Sequence, residues 1–351
     1  MRQHQDAARR VLELRLVPRS PGRRGRLILP IAVDAMGGDR APSEIVAGAK
    51  RAHESFGTPV LLVGPDDGSL GDTGDLELVP ASEQIDMHDD PVRAVRTKKD
   101  SSIVVAAEAV RDGRASAMVS AGNTGAAMTA ALLRMGRISG VARPAIATPL
   151  PIPGGTPTVL IDAGANAECQ PEWLVQFAQM AGAYMTARYE IVAPSVALLS
   201  NGEEDSKGND LVKATHKLLV ETAGVHFIGN VEGRDLLTRS ADVIVTDGFT
   251  GNVALKALEG ALAVFTHILG EAIASSAETK AAGDVLVPAL LPYAEHMDPE
   301  ETGGAMLLGV DGVCIISHGS SSQKAIANAI RVASDMVERD LVGRVRAAVS
   351  Q

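Results

Sequence analysis

The residues of this chain that could do chemistry gather in five short stretches rich in glycine and in small hydroxyl or amide side chains. They are Ser120-Ala121-Gly122-Asn123-Thr124-Gly125, Asp162-Ala163-Gly164-Ala165-Asn166, the run from Ser200 through Lys207 to Asn209, Thr246-Asp247-Gly248-Phe249-Thr250-Gly251-Asn252, and Ser317-His318-Gly319-Ser320-Ser321-Ser322. Each follows an apolar run of strand length and precedes a helical pattern. At such a junction, free backbone N–H groups and the positive helix end favour an anion such as phosphate. The same residue types have a plainer use, with Asn, Thr and Ser as helix caps and Gly in tight turns. Lys207 is a candidate for holding phosphate or an oxyanion, with a solvated surface lysine as the plain alternative. Asp247 could orient that lysine or take a proton from hydrogen phosphate, or simply cap the helix that follows. Asn123, Thr124, Asn252 and Ser320, flanked by Gly122, Gly125 and Gly251, are candidate phosphate or oxyanion donors.

Other catalytic devices are missing. The chain has no G-x-x-x-x-G-K-[ST] phosphate loop, no G-x-G-x-x-G after its first strand, no G-x-S-x-G elbow and no H-E-x-x-H helix. Its eight histidines do not cluster at metal-ligand spacing, so neither a metal nor a nucleotide cofactor is expected. His318 follows an expected strand and is either catalytic or an ordinary hydrogen-bonded loop histidine.

The elements that must position these loops read as repeated strand–turn–helix units. Leu27 to Val33 is a continuous apolar run, expected of a strand buried on both faces. Asp34, at its end, is placed to hold neighbouring loops together. Further strands are expected at 59–63, 116–120, 145–150, 158–162, 195–200, 225–228, 242–246 and 312–317. Helical patterns fall at 42–56, 101–113, 124–136, 171–188, 209–223, 250–276 and 322–340. Strands separated by helices imply an α/β fold with a mostly parallel sheet covered on both faces. The stretch 277–304 breaks this rhythm. It has no clear strand and contains Pro288 and Pro292, so it reads as an insertion or helical hairpin projecting from one catalytic domain at 27–345.

Composition narrows the partners. An apolar fraction of 46% can bury a large core, whereas aromatics at 3% and a net charge of −10 argue against nucleic acid. Two cysteines, Cys169 and Cys314, cannot build a disulfide framework or a Cys-based zinc site, which points to a reducing, cytoplasmic setting. No uninterrupted apolar run approaches the roughly 20 residues of a membrane span. Residues 1–26 differ from the rest, with eight of the 33 basic residues and two of the 43 acidic ones. They read as a disordered basic extension or, less simply, as an arm for an acidic partner or anionic lipid.

Several long motifs occur together and in order. Ile31-Ala32-Val33-Asp34-Ala35-Met36-Gly37-Gly38-Asp39 precedes Pro91-Val92-Arg93-Ala94-Val95-Arg96 with Lys98 and Lys99. S-A-G-N-T-G-A follows at 120–126 and E-D-S-K-G-N at 204–209. F-I-G-N-V-E-G-R-D lies at 227–235, V-T-D-G-F-T-G-N-V at 245–253 and H-G-S-S at 318–321. Over about 27–340 the chain resembles the bacterial phosphate acyltransferases of phospholipid synthesis, and only the arginine-rich start falls outside the resemblance. The resemblance implies a Rossmann-like three-layer α/β/α fold, related to phosphotransacetylases and to isocitrate/isopropylmalate dehydrogenases. It implies transfer of a long-chain fatty acyl group from acyl carrier protein to inorganic phosphate, without cofactor, by a cytoplasmic homodimer. A membrane glycerol-3-phosphate acyltransferase would use the product, and the hairpin at 277–304 would contact the inner face of the cell membrane peripherally; its own residues, acidic and interrupted by two prolines, allow only weak contact and equally suit covering the dimer interface or the acyl groove.

This chemistry suits the residues. Phosphate is itself the nucleophile and an ordinary thiol leaves with a pKa near about 8.5, so neither a Ser–His pair nor a strong acid is needed. An acidic carrier protein needs a positive patch on an acidic body. Arg93, Arg96, Lys98 and Lys99 form the densest one, and Arg134, Arg137 and Arg143 a looser one. The competing readings are a short-chain phosphotransacetylase using coenzyme A and a non-catalytic scaffold for lipid-synthesis enzymes.

Overall fold

The computed structural model describes residues 29–350, so the basic stretch 1–26 and the expected strand start at Leu27 lie outside the described residues. The strands are β1 Ile31–Asp34, β2 Val60–Gly64, β3 Glu77–Pro80, β4 Ala117–Ser120, β5 Ala145–Leu150, β6 Thr158–Ile161, β7 Ser195–Leu199, β8 His226–Val231, β9 Val243–Val245, β10 Ala305–Leu308 and β11 Val313–Ile316. The helices are α1 Ser43–Phe56, α2 Pro91–Thr97, α3 Ser102–Arg111, α4 Thr124–Ala130, α5 Pro171–Tyr189, α6 Asp210–Glu221, α7 Gly248–Ala274, α8 Ala277–His296, α9 Gln323–Glu338 and α10 Leu341–Val349. A π turn, Ala131–Met135, continues α4.

All eleven strands join one sheet in the order β3-β2-β1-β4-β11-β10-β5-β6-β9-β7-β8. A single register row crosses it through Leu78, Leu62, Val33, Val119, Ile315, Met306, Ala147, Ile161, Val245, Leu198 and Asn230. The pairings are parallel except for β10 with β11, β10 with β5, and β5 with β6. Consequently β1, β2, β3, β4 and β11 run one way, while β6, β7, β8 and β9 run the other.

Helices cover both faces, which is why these strands are apolar at nearly every position. On one face α1, α5, α9 and α10 enclose the largest core cluster, with Phe177 and Tyr184 fully buried within it. On the other, α2, α3 and α4 cover the first block of strands, and Ala254, Leu255 and Leu258 of α7 cover the second. The result is the expected three-layer α/β/α arrangement.

The structure departs from the sequence reading in several places. β3 is a short, exposed edge strand ending in a proline, so it carries little apolar signal. β10 is only four residues long and directly follows the glycines 303 and 304. The projecting hairpin is built from α7 and α8 together, with 277–304 supplying its second arm and a 3-10 turn, Pro299–Thr302. That arm runs as one helix through Pro288 and Pro292, started by a capping box in which Ser276 and Thr279 exchange hydrogen bonds. By length and composition α7 could cross a membrane, although its first turns lie on the sheet. Lys256, Glu259 and Glu271 break its apolar run in the sequence.

Candidate active site

At the first sheet edge β1, β4 and β11 end side by side. The Asp34 carboxylate is buried there and accepts hydrogen bonds from Ser102 Oγ (2.6 Å), Ser120 Oγ (2.6 Å) and the Met36 N–H (3.3 Å). Burial pushes its pKa up, and those hydrogen bonds pull it back. Ser120 Oγ in turn accepts from the Gly122 N–H (3.1 Å), so Asp34 sets the path of the 120–125 loop. Asn123 then does two jobs. Its Oδ1 accepts the Ala126 N–H (3.1 Å) as the α4 cap, and its Nδ2 donates to the Met87 carbonyl (3.1 Å). The N–H groups of Thr124 and Gly125 are left in the open first turn.

The segment gripped by Asn123 leads into α2, which places the basic patch beside that turn. A Cβ at Gly125 would stand 2.9 Å from Pro91 Cγ, so α2 and α4 touch here. Arg93, Arg96 and Lys99 are exposed. Lys98 instead pairs with Asp89 (2.7 Å) and donates to the Gln84 carbonyl (2.9 Å), so it braces the loop. The looser arginine group is also engaged. Arg134 pairs with Glu108 (3.4 Å), Arg137 donates to the Ala142 carbonyl, and Arg143 lies 4.9 Å from the Trp173 ring centroid.

Also at this edge, His318 Nδ1 is 2.8 Å from Ser320 Oγ, both exposed. The α9 start behind them already holds carboxylates. Glu300 accepts from Ser322 Oγ (2.8 Å) and Glu44 accepts from the Gln323 N–H (2.7 Å).

At the second edge Asp162 is the organiser. Its buried carboxylate accepts the N–H groups of Ile146 (3.1 Å), Gly164 (3.1 Å), Ala165 (2.9 Å) and Asn166 (2.8 Å), plus Asn166 Nδ2 (2.8 Å). Burial raises its pKa against these bonds. The loop so formed receives α7. Gly248 N–H donates to the Asn166 carbonyl (2.8 Å), and a Cβ at Gly251 would fall 2.0 Å from the Asp162 carbonyl oxygen. Asp247 caps α7, taking the Thr250 N–H (2.8 Å) on Oδ1 and the Thr250 hydroxyl (2.7 Å) on Oδ2. Asn252 is exposed beside Gly164. Lys207 is exposed on its loop and makes no ion pair among the described residues. Gly208, at φ +94°, shapes that loop through its N–H bond to Asn201 Oδ1 (2.9 Å).

Strand direction keeps the two groups apart. The Ser120 loop and the Asp247 loop leave by opposite sheet edges, and five strand spacings separate β4 from β9, about 24 Å of sheet. Lys207, beyond β7, is one spacing farther. Across that width, Ala163, Ala165 and Leu255 of the Asp162–α7 junction still pack on the same apolar cluster as Ala126, Ala127 and Met128 of α4. Ser102 was not singled out from sequence, and Asp162 and Asn166 only as members of one of the five loops. The one available signal was the Asp-Ala pair that ends β1 and follows β6, Asp34-Ala35 and Asp162-Ala163. Burial pushes the Cys169 thiol up to about 11 and Cys314 up to about 12, so neither is a thiolate nucleophile at neutral pH.

The family model described as "Fatty acid synthesis protein" matches residues 29–344. A phosphate acyltransferase of Pelotomaculum thermopropionicum is 49% identical over 327 residues, covering 92% of this chain and 95% of that protein. One from Heliobacterium modesticaldum is 49% identical over 325 residues, covering 90% and 96%. Among solved structures, the EutD phosphotransacetylase from Staphylococcus aureus has TM-score 0.58 at 16% identity, covering 88% of this chain and 94% of its own. A branched-chain phosphotransacylase from Enterococcus faecalis has TM-score 0.57 at 14% identity, covering 88% and 99%. At such identities the likeness concerns the fold.

The Asp162–α7 junction makes a paired prediction. Gly251→Ala should cost about 3 kcal/mol, because the new methyl meets a backbone oxygen that cannot move without breaking the Asp162 loop. Asp247→Asn should change stability by less than about 0.5 kcal/mol, since an amide oxygen caps equally well. Urea unfolding of both proteins checks this, and a Gly251→Ala protein of unchanged midpoint would contradict the contact.

Proposed function

Because the chain belongs to the fatty acid synthesis protein family, we propose that it transfers a long-chain fatty acyl group from acyl carrier protein to inorganic phosphate. The acyl transfer to phosphate makes it an acyltransferase of phospholipid synthesis. The carrier-protein donor and the location of phosphate are our reading of the site. The carrying observation is the start of α4, where Thr124 and Gly125 offer open N–H groups with Arg93 and Arg96 on the adjoining helix. The starts of α7 and α9 are already occupied by the chain's own carboxylates, Asp247 at one and Glu300 with Glu44 at the other.

In this reading a phosphate oxygen attacks the thioester carbon, the C–S bond breaks, and the carrier thiolate leaves to be protonated from water. The protein binds and orients the phosphate and supplies donors to the developing oxyanion. The exposed Met87 and Val92 beside Arg93 and Arg96 make a mixed apolar and basic patch, suited to an acidic carrier protein. Lys207 and Asp247, on the loops beyond β7 and β9, are the proposed charged partners of the reacting phosphate, and the protein is proposed to act as a homodimer.

The exposed hairpin supports the proposed weak membrane contact. Phe265, Ile268, Leu286, Leu291 and Tyr293 are exposed along it, and no lysine or arginine follows Lys280 as far as residue 304. Apolar burial, not attraction to anionic lipid, then carries the binding.

Purified protein incubated with long-chain acyl carrier protein should yield acyl phosphate only when phosphate is present, and far more than with acetyl-coenzyme A. Lys207→Ala should lower that turnover by about 100-fold, and near-normal turnover in the folded variant would remove Lys207 from the reaction. Reversing Arg93 and Arg96 to Glu should raise the apparent KM for the carrier protein about tenfold at low salt and leave that for phosphate unchanged. An unaltered carrier KM would sink this patch. In vesicle sedimentation, Leu290→Glu with Leu291→Glu should abolish binding that is only slightly salt-sensitive. Strong, salt-sensitive binding that survives both changes would place the anchor outside the hairpin.

A further inference from the structure

The loop that carries Lys207 is held by two buried polar side chains, His216 of α6 and Asn230 of β8. It leaves β7 beside the end of β8, where the Ser200 N–H donates to the Val231 carbonyl (2.8 Å). It then closes a turn in which the Glu204 carbonyl accepts the Lys207 N–H (2.9 Å). The same carbonyl accepts a second hydrogen bond, from Asn230 Nδ2 (3.0 Å). Asn230 Oδ1 in turn lies 3.1 Å from His216 Nδ1. Because Nδ2 is committed to Glu204, Oδ1 is the acceptor and His216 carries its proton on Nδ1. Nε2 of the same ring lies 3.5 Å from Asp205 Oδ1, so His216 reaches the turn a second time.

An irregularity in β8 makes this contact. Val196 pairs with Phe227 and Leu198 with Asn230, so β8 carries one extra residue between the two pairs. Gly229 takes up that residue at φ +105°, a conformation that glycine adopts without strain. In an unbroken strand Phe227 and Asn230, three positions apart, would face opposite sides of the sheet. The bulge turns both toward α6, where the His216 ring meets Phe227 edge-on with centroids 5.0 Å apart. Gly202 directs the lysine itself. A Cβ there would stand 2.7 Å from Lys207 Cγ and 3.1 Å from Cδ, so the stem of the side chain lies across the glycine. The parts belong to F-I-G-N-V-E-G-R-D and E-D-S-K-G-N, two motifs that the fold brings into contact.

We propose that His216 and Asn230 are positioning residues for Lys207. They fix the Glu204–Lys207 turn so that the ammonium group meets the reacting phosphate, and neither touches substrate. This rests on the acyl-transfer reading above and on the part Lys207 has in it. Wild-type protein that makes no acyl phosphate from acyl carrier protein ends that reading and this proposal together. Near-normal turnover in Lys207→Ala leaves acyl transfer standing and overturns the positioning role alone.

His216→Phe keeps a ring against Phe227 and removes the Nδ1 donor. It should lower kcat/KM for phosphate about tenfold, well inside the roughly 100-fold that a misplacement of about 1 Å can cost. The apparent KM for the carrier protein should stay within about twofold, because the basic patch on α2 is untouched. His216→Asn, which restores an N–H donor near the place of Nδ1, should bring kcat/KM back to within about threefold of wild type. The decisive comparison is made in Lys207→Ala protein. There His216→Phe should change turnover by less than about twofold, since residues acting through one group are not additive. Equal proportional losses with and without Lys207, or a folded His216→Phe protein within about twofold of wild type, overturn the proposal. Should His216→Phe fail to fold, Asn230→Asp, which loses the donor to Glu204 at constant shape, is read by the same criteria.

Discussion

Because β10 pairs antiparallel with both β11 and β5, and β5 with β6, the parallel strands on the two sides of the sheet point in opposite directions. Loops that bind ligands in such folds emerge from strand C-termini, so this reversal divides the glycine-rich loops between two edges. It also fixes what covers the middle. Each block carries its own helix, α4 from one edge and α7 from the other, and over the reversing pair Ile146 and Leu307 share one cluster with Ala126, Ala127 and Ala130, against which Leu255 also packs.

Each edge is then stabilised in the same manner, by a carboxylate taken out of water and repaid with donors. Asp34 holds its loop with two serine hydroxyls, and Asp162 holds its own almost entirely with backbone N–H groups. A buried carboxylate without such donors would cost several kcal/mol, on the order of the whole stability margin of a domain. With them it becomes a rigid turn, and rigidity is what a site needs when phosphate itself is the nucleophile and positioning does most of the catalysis.

Much of this was legible in the sequence because buried parallel strands are short apolar runs with punctuation. The runs ending at Asp34, Ser120, Ile161 and Val245 announced both the strands and the loops beyond them. What escaped notice had weak or misleading local signals. β10 has four residues after two glycines, and nothing local to Ala305 reveals that its neighbours are antiparallel. Direction is a property of pairing, so the exit of the Ser120 and Asp247 loops from opposite ends of their strands could not be read from loops that look alike. Lys98 resembled Arg93 and Arg96 as a member of one basic run, yet its partner Asp89 lies on the preceding loop.

The hairpin connects the two edges. α7 begins at the Asp162 loop, and the turn Pro299–Thr302 that follows α8 packs against the start of α9 at the first edge before the chain enters β10. That return is latched: Lys324 pairs with Asp298 (2.8 Å) and Glu301 (2.8 Å), while Asn328 Nδ2 donates to the Glu300 carbonyl (3.0 Å). Hydrogen bonds to the two carboxylates raise the pKa of Lys324, so it stays charged throughout the neutral range. Each pair is half-exposed and worth little alone, but Glu300, whose carbonyl accepts from Asn328, also accepts the Ser322 hydroxyl at the α9 cap through its carboxylate. The base of the hairpin is thereby tied by hydrogen bonds to the Asp162 junction at one end and to the Ser322 cap of α9 at the other.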